Sequence, residues 1–241
     1  MKMKVLPILP ALLALAGCQS GAKQSAPIPT GFGSAITMVS GEKQITGVGQ
    51  VLEDPVVLQV NDEKGAPVPG ALVEFESPDG IRFTPAQGLT GIDGQFTVSA
   101  ALGGTSGHSL IRAFTRDKSG KTAEVKITEI ALGYQQTLGR EVSEKYCARC
   151  HDPESSPARV SNHDNLSKPP HAFSDGAAYN AWKDANLLAI VAHGGQALGK
   201  SPEMPPYGDT LSKSEMSALI GYIRAVSDPP YRAMEVVYAD K

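Results

Sequence analysis

Cys147-Ala148-Arg149-Cys150-His151 is where this 241-residue chain shows its plainest chemistry. Two thiols three positions apart on one helical turn can add to the two vinyl groups of one porphyrin, and the next residue offers an imidazole to its iron. Cys-x-x-Cys-His is accordingly the attachment signature of a c-type haem. Two other uses of paired cysteines ask for residues that do not stand nearby. Zinc wants a second Cys or His pair at ligand spacing, and a redox dithiol wants a βαβ setting.

The elements that must position these groups are helical. Gln135 to Tyr146 carries Leu138, Val142 and Tyr146 four apart on one stripe and delivers the motif at its end. Ser212-Lys213-Ser214-Glu215 is a capping box opening a second helix, whose apolar face is Leu219, Tyr222, Ile223 and Val226. Between them Ala178 to Ala192 predicts a third helix containing Trp182, Leu187, Leu188, Ile190 and Val191. Met204 sits in a Pro-bracketed stretch with neither helical nor strand pattern, an unusual place for a core methionine. Its soft thioether suits low-spin iron.

Gly139 and Tyr146 before the motif, Ser201-Pro202-Glu203-Met204-Pro205-Pro206-Tyr207-Gly208, and Leu211-Ser212 ahead of a helix ending Gly221-Tyr222-Ile223-Arg224 together resemble a class I (monohaem) cytochrome c. The resemblance covers about the last hundred residues. It implies one haem c bound covalently by Cys147 and Cys150, with His151 as proximal and Met204 as distal iron ligand. It also implies a proline carbonyl, Pro169 or Pro170, that receives the His151 Nδ1–H, with Pro169 the expected cofactor-binding residue. The segment 152–174 is longer and more polar than that family usually carries after the motif, and it holds His163 and His171. Either of these, or His193, could compete with Met204. With methionine bound there is no open substrate position, so the resemblance implies an electron carrier with redox proteins as partners and no catalytic residues.

Upstream, residues 36–132 alternate with period two. Pro55 to Val60, Ala71 to Glu76, Gln95 to Ala100, His108 to Thr115 and Lys121 to Ile130 are separated by turn segments such as Asn61-Asp62-Glu63-Lys64-Gly65 and Thr90-Gly91-Ile92-Asp93-Gly94. Short strands punctuated this regularly predict an antiparallel β-sandwich. The run from Val57 to Phe75 and Thr90 to Phe96 also resemble the Ig-like domains of bacterial surface proteins, which implies a spacer or an adhesion module. No acid, base or nucleophile cluster lies in this region. His108, its only histidine, begins a strand beside a Gly-rich turn and predicts a surface or edge role.

The chain starts with a basic Met1-Lys2-Met3-Lys4, a short apolar stretch from Val5 to Ala16, and Leu15-Ala16-Gly17-Cys18. Twelve apolar residues are too few to span a bilayer. Small residues leading into cysteine resemble a bacterial lipobox, which implies cleavage before Cys18, lipidation of its thiol, and a chain anchored to a membrane without spanning it. In such lipoproteins Gln19, in place of a retaining Asp, implies the outer membrane, facing the periplasm or the cell surface. The three cysteines are thereby assigned, and none is left for a disulfide. With 22 basic and 25 acidic residues and no basic stripe, the chain lacks the footprint of a nucleic-acid binder. The expected organisation is a signal peptide (1–17), a flexible tether (18–35), an all-β Ig-like antiparallel sandwich (36–132), an all-α cytochrome c domain (133–228) and a tail (229–241).

Overall fold

The computed structural model describes residues 27–152 and 160–233. The signal segment, Cys18, the first part of the tether, and Val236 and Val237 of the tail lie outside the described residues. No helix among the described residues is long and apolar enough to cross a membrane.

Nine strands form two sheets. The first has the order β1 (Ala35–Ser40), β3 (Val56–Asn61), β7 (Gln95–Ala101), β5 (Arg82–Thr84). The second has the order β2 (Ile45–Gly47), β9 (Thr122–Leu132), β8 (Gly107–Arg116), β4 (Leu72–Glu76), β6 (Gln87–Leu89). Strands with alternating apolar residues bury one face each, and Val56, Leu58, Val60, Val73, Phe96, Val98, Ile111, Ala113 and Ile127 meet between the sheets. Turn chemistry sets the register. Gly65 and Gly94 both take positive φ at the ends of their turns, where any side chain would be strained. The chain is held to the sandwich from Thr30 onward, because the Thr30 and Gly31 amides both donate to the Gly70 carbonyl.

One strand pair departs from the antiparallel expectation: β2 runs parallel to β9. The two are separated by nearly the whole domain in sequence, so a parallel pairing needs no tight connection. At this edge Glu129 is fully buried on the core face between Ile127 and Ala131. Its Oε2 accepts from the Gln44 amide at 2.6 Å, whereas Oε1 has no partner. Burial pushes its carboxyl up to about 7, the Gln44 amide opposing and Glu42 assisting. An acid whose folded value is raised contributes full stability below its unfolded value near 4.5, and that stability is lost as pH climbs through about 7. The unfolding free energy, followed through the denaturant midpoint, should therefore fall between about pH 5 and 8, by at most about 3 kcal/mol. Glu129→Gln should flatten that slope, and an unchanged slope in the variant would assign the pH dependence elsewhere.

The helical domain begins where the sandwich stops. Gly133 alone separates β9 from α1 (Tyr134–Val142), and its amide donates to Gln136 Oε1 at 2.7 Å. α1 runs on through a π-helical turn, Ser143–Cys147, into α2 (Ala148–His151). The extra residue of that turn resets the register just ahead of the motif and carries Cys147 into the interior. α5 (Lys213–Val226) opens with the expected capping box, the Ser212 hydroxyl accepting from the Glu215 amide and the Glu215 carboxylate from the Ser212 amide.

The expected single helix from Ala178 to Ala192 is two pieces, α3 (Gly176–Tyr179) and α4 (Asp184–His193), with Trp182 between them. Arg224 explains the break. Its guanidinium donates to the carbonyls of Tyr179, at the end of α3, and Trp182, in the break, and holds the Asp184 carboxylate at the start of α4, all from outside the helix.

Candidate functional site

α1 and α5 cross at Gly139. A Cβ there would lie 2.0 Å from the Ala218 carbonyl oxygen, so the two backbones touch where glycine alone allows it. Leu187 and Val191 of α4, Leu211, and Leu219, Ile220 and Ile223 of α5 enclose Val142 and Cys147. Met204, Tyr207, Phe173, Tyr179 and Trp182 pack around them. The sequence-predicted groups Cys147 and Met204 therefore belong to one apolar cluster, although they stand 57 positions apart.

Met204 is held by backbone. Its carbonyl accepts from the Gly195 amide at 3.0 Å, and Tyr207 and Gly208 donate to the carbonyls of Val191 and Ala192 at the end of α4. Gly194 has φ +80, and a Cβ on Gly195 would lie 2.1 Å from the Ser201 carbonyl oxygen; both glycines let the loop lie flat on the helix end. The Tyr207 hydroxyl donates to the Tyr146 carbonyl at 3.0 Å, tying this loop to the turn immediately before Cys147.

His151 is held by the loop that follows the motif. Its Nδ1 is 3.1 Å from the His171 carbonyl and 3.3 Å from the Tyr179 hydroxyl, which itself donates to that carbonyl at 2.8 Å. The acceptor is thus His171, and the expected Pro169 is displaced from the role. Pro169 is exposed, and the Pro170 carbonyl instead meets His163 Nε2 at 3.1 Å. The long polar segment after the motif pushes the chain further before it turns back, so the carbonyl that reaches Nδ1 comes later. With Nδ1–H donated, Nε2 carries the free lone pair. Burial lowers the His151 pKa, the His171 carbonyl only partly opposing, so the ring is held in the neutral form a metal needs.

Two of the competing histidines, His163 and His171, are otherwise occupied. His163 has one ring nitrogen on Pro170 and the other on Asp164 at 2.9 Å. His171 pairs with Asp175 at 2.8 Å and lies on the Nδ1 side of His151, opposite to an iron held by Nε2. His193 is exposed at the end of α4, beside a cleft shared with Pro206 and Met216.

The donor set fits a c-type haem and not the alternatives. Burial pushes the Cys147 thiol up to about 12, and Cys150 adds to the effect, whereas a redox dithiol needs a lowered thiol. Among the described residues no three His, Cys, Asp or Glu side chains gather at metal-holding spacing, as a zinc site would require.

One clasp of this site has no signal along the chain. Glu203, next to Met204, accepts from the Ser167 amide at 3.1 Å and from its hydroxyl, joining the loop after the motif to the methionine loop. The Ser167 hydroxyl, then its amide, hold the Glu203 carboxyl below the usual range, so the bond is charge-assisted. Glu203→Ala should speed amide exchange several-fold at Ser167 and Gly195 while leaving α1 and α5 unchanged. Equal exchange in both proteins would show that the two loops are held independently.

Residues 135–223 match the family model of cytochrome c oxidase, cbb3-type, subunit III. The C-terminal domain is a cytochrome c domain behind a β-sandwich, and a domain of that kind implies covalently bound haem c and electron transfer. Among curated proteins nothing matches. Solved structures similar to the chain include the Yersinia pseudotuberculosis adhesin InvE, at 19% identity and TM-score 0.32, over 39% of this chain and 31% of that one. The D00-D0 domain of intimin is similar at 16% identity and TM-score 0.31, over 45% of this chain and 50% of that one. The Clostridium thermocellum CbhA fibronectin(III)-like modules are similar at 16% identity and TM-score 0.26, over 40% of this chain and 93% of those modules. The chain thus spans under a third of InvE and half of the intimin fragment.

Proposed function

We propose that this protein is a membrane-anchored cytochrome carrying single electrons through one haem c, attached to Cys147 and Cys150 and ligated by His151 and Met204. A bound haem supplies a reversible one-electron iron couple. The protein's residues supply the rest. His151 is oriented through its Nδ1 bond to His171 and kept neutral by burial. The Gly194-Gly195 seat and the Glu203–Ser167 clasp hold Met204 against the apolar core. The observations that carry this reading are the engaged Nδ1 of His151 and a thioether brought into the Cys147 cluster by a separate loop.

Cys18, at the end of a lipobox-like segment, would carry the acyl chains and put the protein on the outer membrane. Electron donor and acceptor would be proteins meeting a small, transient interface. The family model's description favours a place as the electron-transfer subunit of a larger oxidoreductase.

The test is purification from a haem-maturing host, thiol alkylation of the unfolded protein, and a redox titration followed in the visible. The expected result is a coloured protein with both motif thiols blocked and one Nernstian step of one electron. A colourless protein with Cys147 and Cys150 open to alkylation would sink it. Labelled palmitate should enter the full chain and not Cys18→Ala.

A further inference from the structure

The outer face of β9 changes character at its end. From Thr122 to Thr128 that face is exposed, yet Glu129, Ile130, Ala131 and Leu132 are all buried, so both faces of the strand are covered there. What covers the outer face is the cytochrome domain. Ile130 and Leu132 meet Ala225 and Val226 at the end of α5, with Ile45, Tyr222 and Phe173 packed around them.

Polar ties flank this patch. The Arg140 guanidinium donates to the Ile45 carbonyl at 3.0 Å, and His108, through its Nε2–H, donates to the buried Ser227 carbonyl at 3.0 Å. The segment after Ser227 is knitted in turn to the loop behind the motif. The Asp228 amide donates to the Ser174 carbonyl and the Gly176 amide to the Asp228 carbonyl, where a Cβ on Gly176 would strike the Pro229 carbonyl oxygen at 2.4 Å. Phe173, in this loop, stacks on the His151 ring with centroids 4.5 Å apart. It belongs to both the core around Cys147 and the patch on the sandwich.

We propose that the sandwich is a working part of the haem site, a buttress that sets the His151 ring through Phe173, and that the two domains unfold as one unit. The clause about His151 rests on the haem assignment above; the docking does not. A spacer would be joined by a polar linker and free to reorient. Here the junction is Gly133 alone, and both helices that frame the haem domain, α1 and α5, are pinned to the sandwich edge. His108 and Phe173 act as positioning residues.

The experiment uses the full holoprotein in guanidinium. Trp182, the single tryptophan, together with haem absorbance reports the helical domain, and far-ultraviolet dichroism at a β-dominated wavelength reports the sandwich. Val73→Ala lies in the sandwich core, and Val98→Ala repeats the perturbation from the other sheet should the first fail to fold. Either is expected to lower both midpoints together, in one transition. A lowered sandwich midpoint with an unmoved Trp182 midpoint would overturn the docking. His108→Ala and Phe173→Leu should shift the paramagnetically displaced proton resonances of His151 and the reduction potential while the methionine–iron band persists; unmoved resonances and potential would overturn the buttress. In a colourless preparation Trp182 still decides the docking, so failure of the haem assignment and failure of the docking are told apart.

Discussion

Met204→Ala is expected to abolish the near-infrared methionine-to-iron charge-transfer band of the oxidised protein and to lower its reduction potential. The shift should be a substantial part of the roughly 0.8 V over which axial ligands move haem potentials. A thioether stabilises reduced iron relative to harder donors, so water or histidine in its place favours the oxidised state. The fold should survive. Met204 is only partly buried, and its loop is held through its carbonyl, the Tyr207 and Gly208 amides, the Tyr207 hydroxyl and the Glu203 carboxylate, none of which is the Met204 side chain. Loss of the folded domain together with the band would mean that the thioether is mainly a packing group. A band that persists would transfer the ligand role to another methionine; Met216 also packs on the core around Cys147.

A pair of glycines on the crossing of α1 and α5 should respond in opposite directions. Gly139→Ala puts a methyl 2.0 Å from the Ala218 carbonyl oxygen and 2.8 Å from the Tyr222 Cβ. A backbone oxygen cannot rotate away as a side chain can, so the helices must separate along their whole contact. The expected cost is about 3 kcal/mol, at the upper end for overpacked cores. It should be read as a fall in the Trp182 unfolding midpoint and in the yield of coloured protein. Gly221→Ala adds the same methyl in the interior of α5, where the nearest atom is Gln136 Cγ at 3.9 Å. That is an ordinary contact, and the gain in helix propensity should stabilise the protein by about 0.5–1 kcal/mol. Equal effects of the two substitutions would mean that the crossing at Gly139 is looser than its geometry.

The strand pattern of the sandwich, the capping box at Ser212 and Glu215, and the helix bearing the cysteine motif were all legible along the chain. Each is written in neighbouring residues: alternation for strands, i to i+3 chemistry for caps, three-residue spacing for haem attachment. The two-domain order, sandwich then cytochrome, followed from where one period gave way to the other. Features that depend on distant partners were not legible. The helix expected over Ala178 to Ala192 has the composition for one piece, and its break is imposed by Arg224 from 40 residues away. β2 is three residues long, and its parallel pairing with β9 has no signature within itself.

For the site, the division follows the kind of atom involved. Side chains with distinctive chemistry, the proposed haem-binding Cys147, Cys150, His151 and Met204, announce themselves by type and spacing, because thioether attachment and soft iron ligation would admit few substitutes. Backbone acceptors announce nothing, since every residue has a carbonyl, and only the path of the folded chain put His171 rather than Pro169 behind the imidazole. The same holds for the sandwich edge. Ile130 and Leu132 look like ordinary strand residues, and their burial against Ala225 and Val226 exists only once the last strand of the sandwich and the last helix have met.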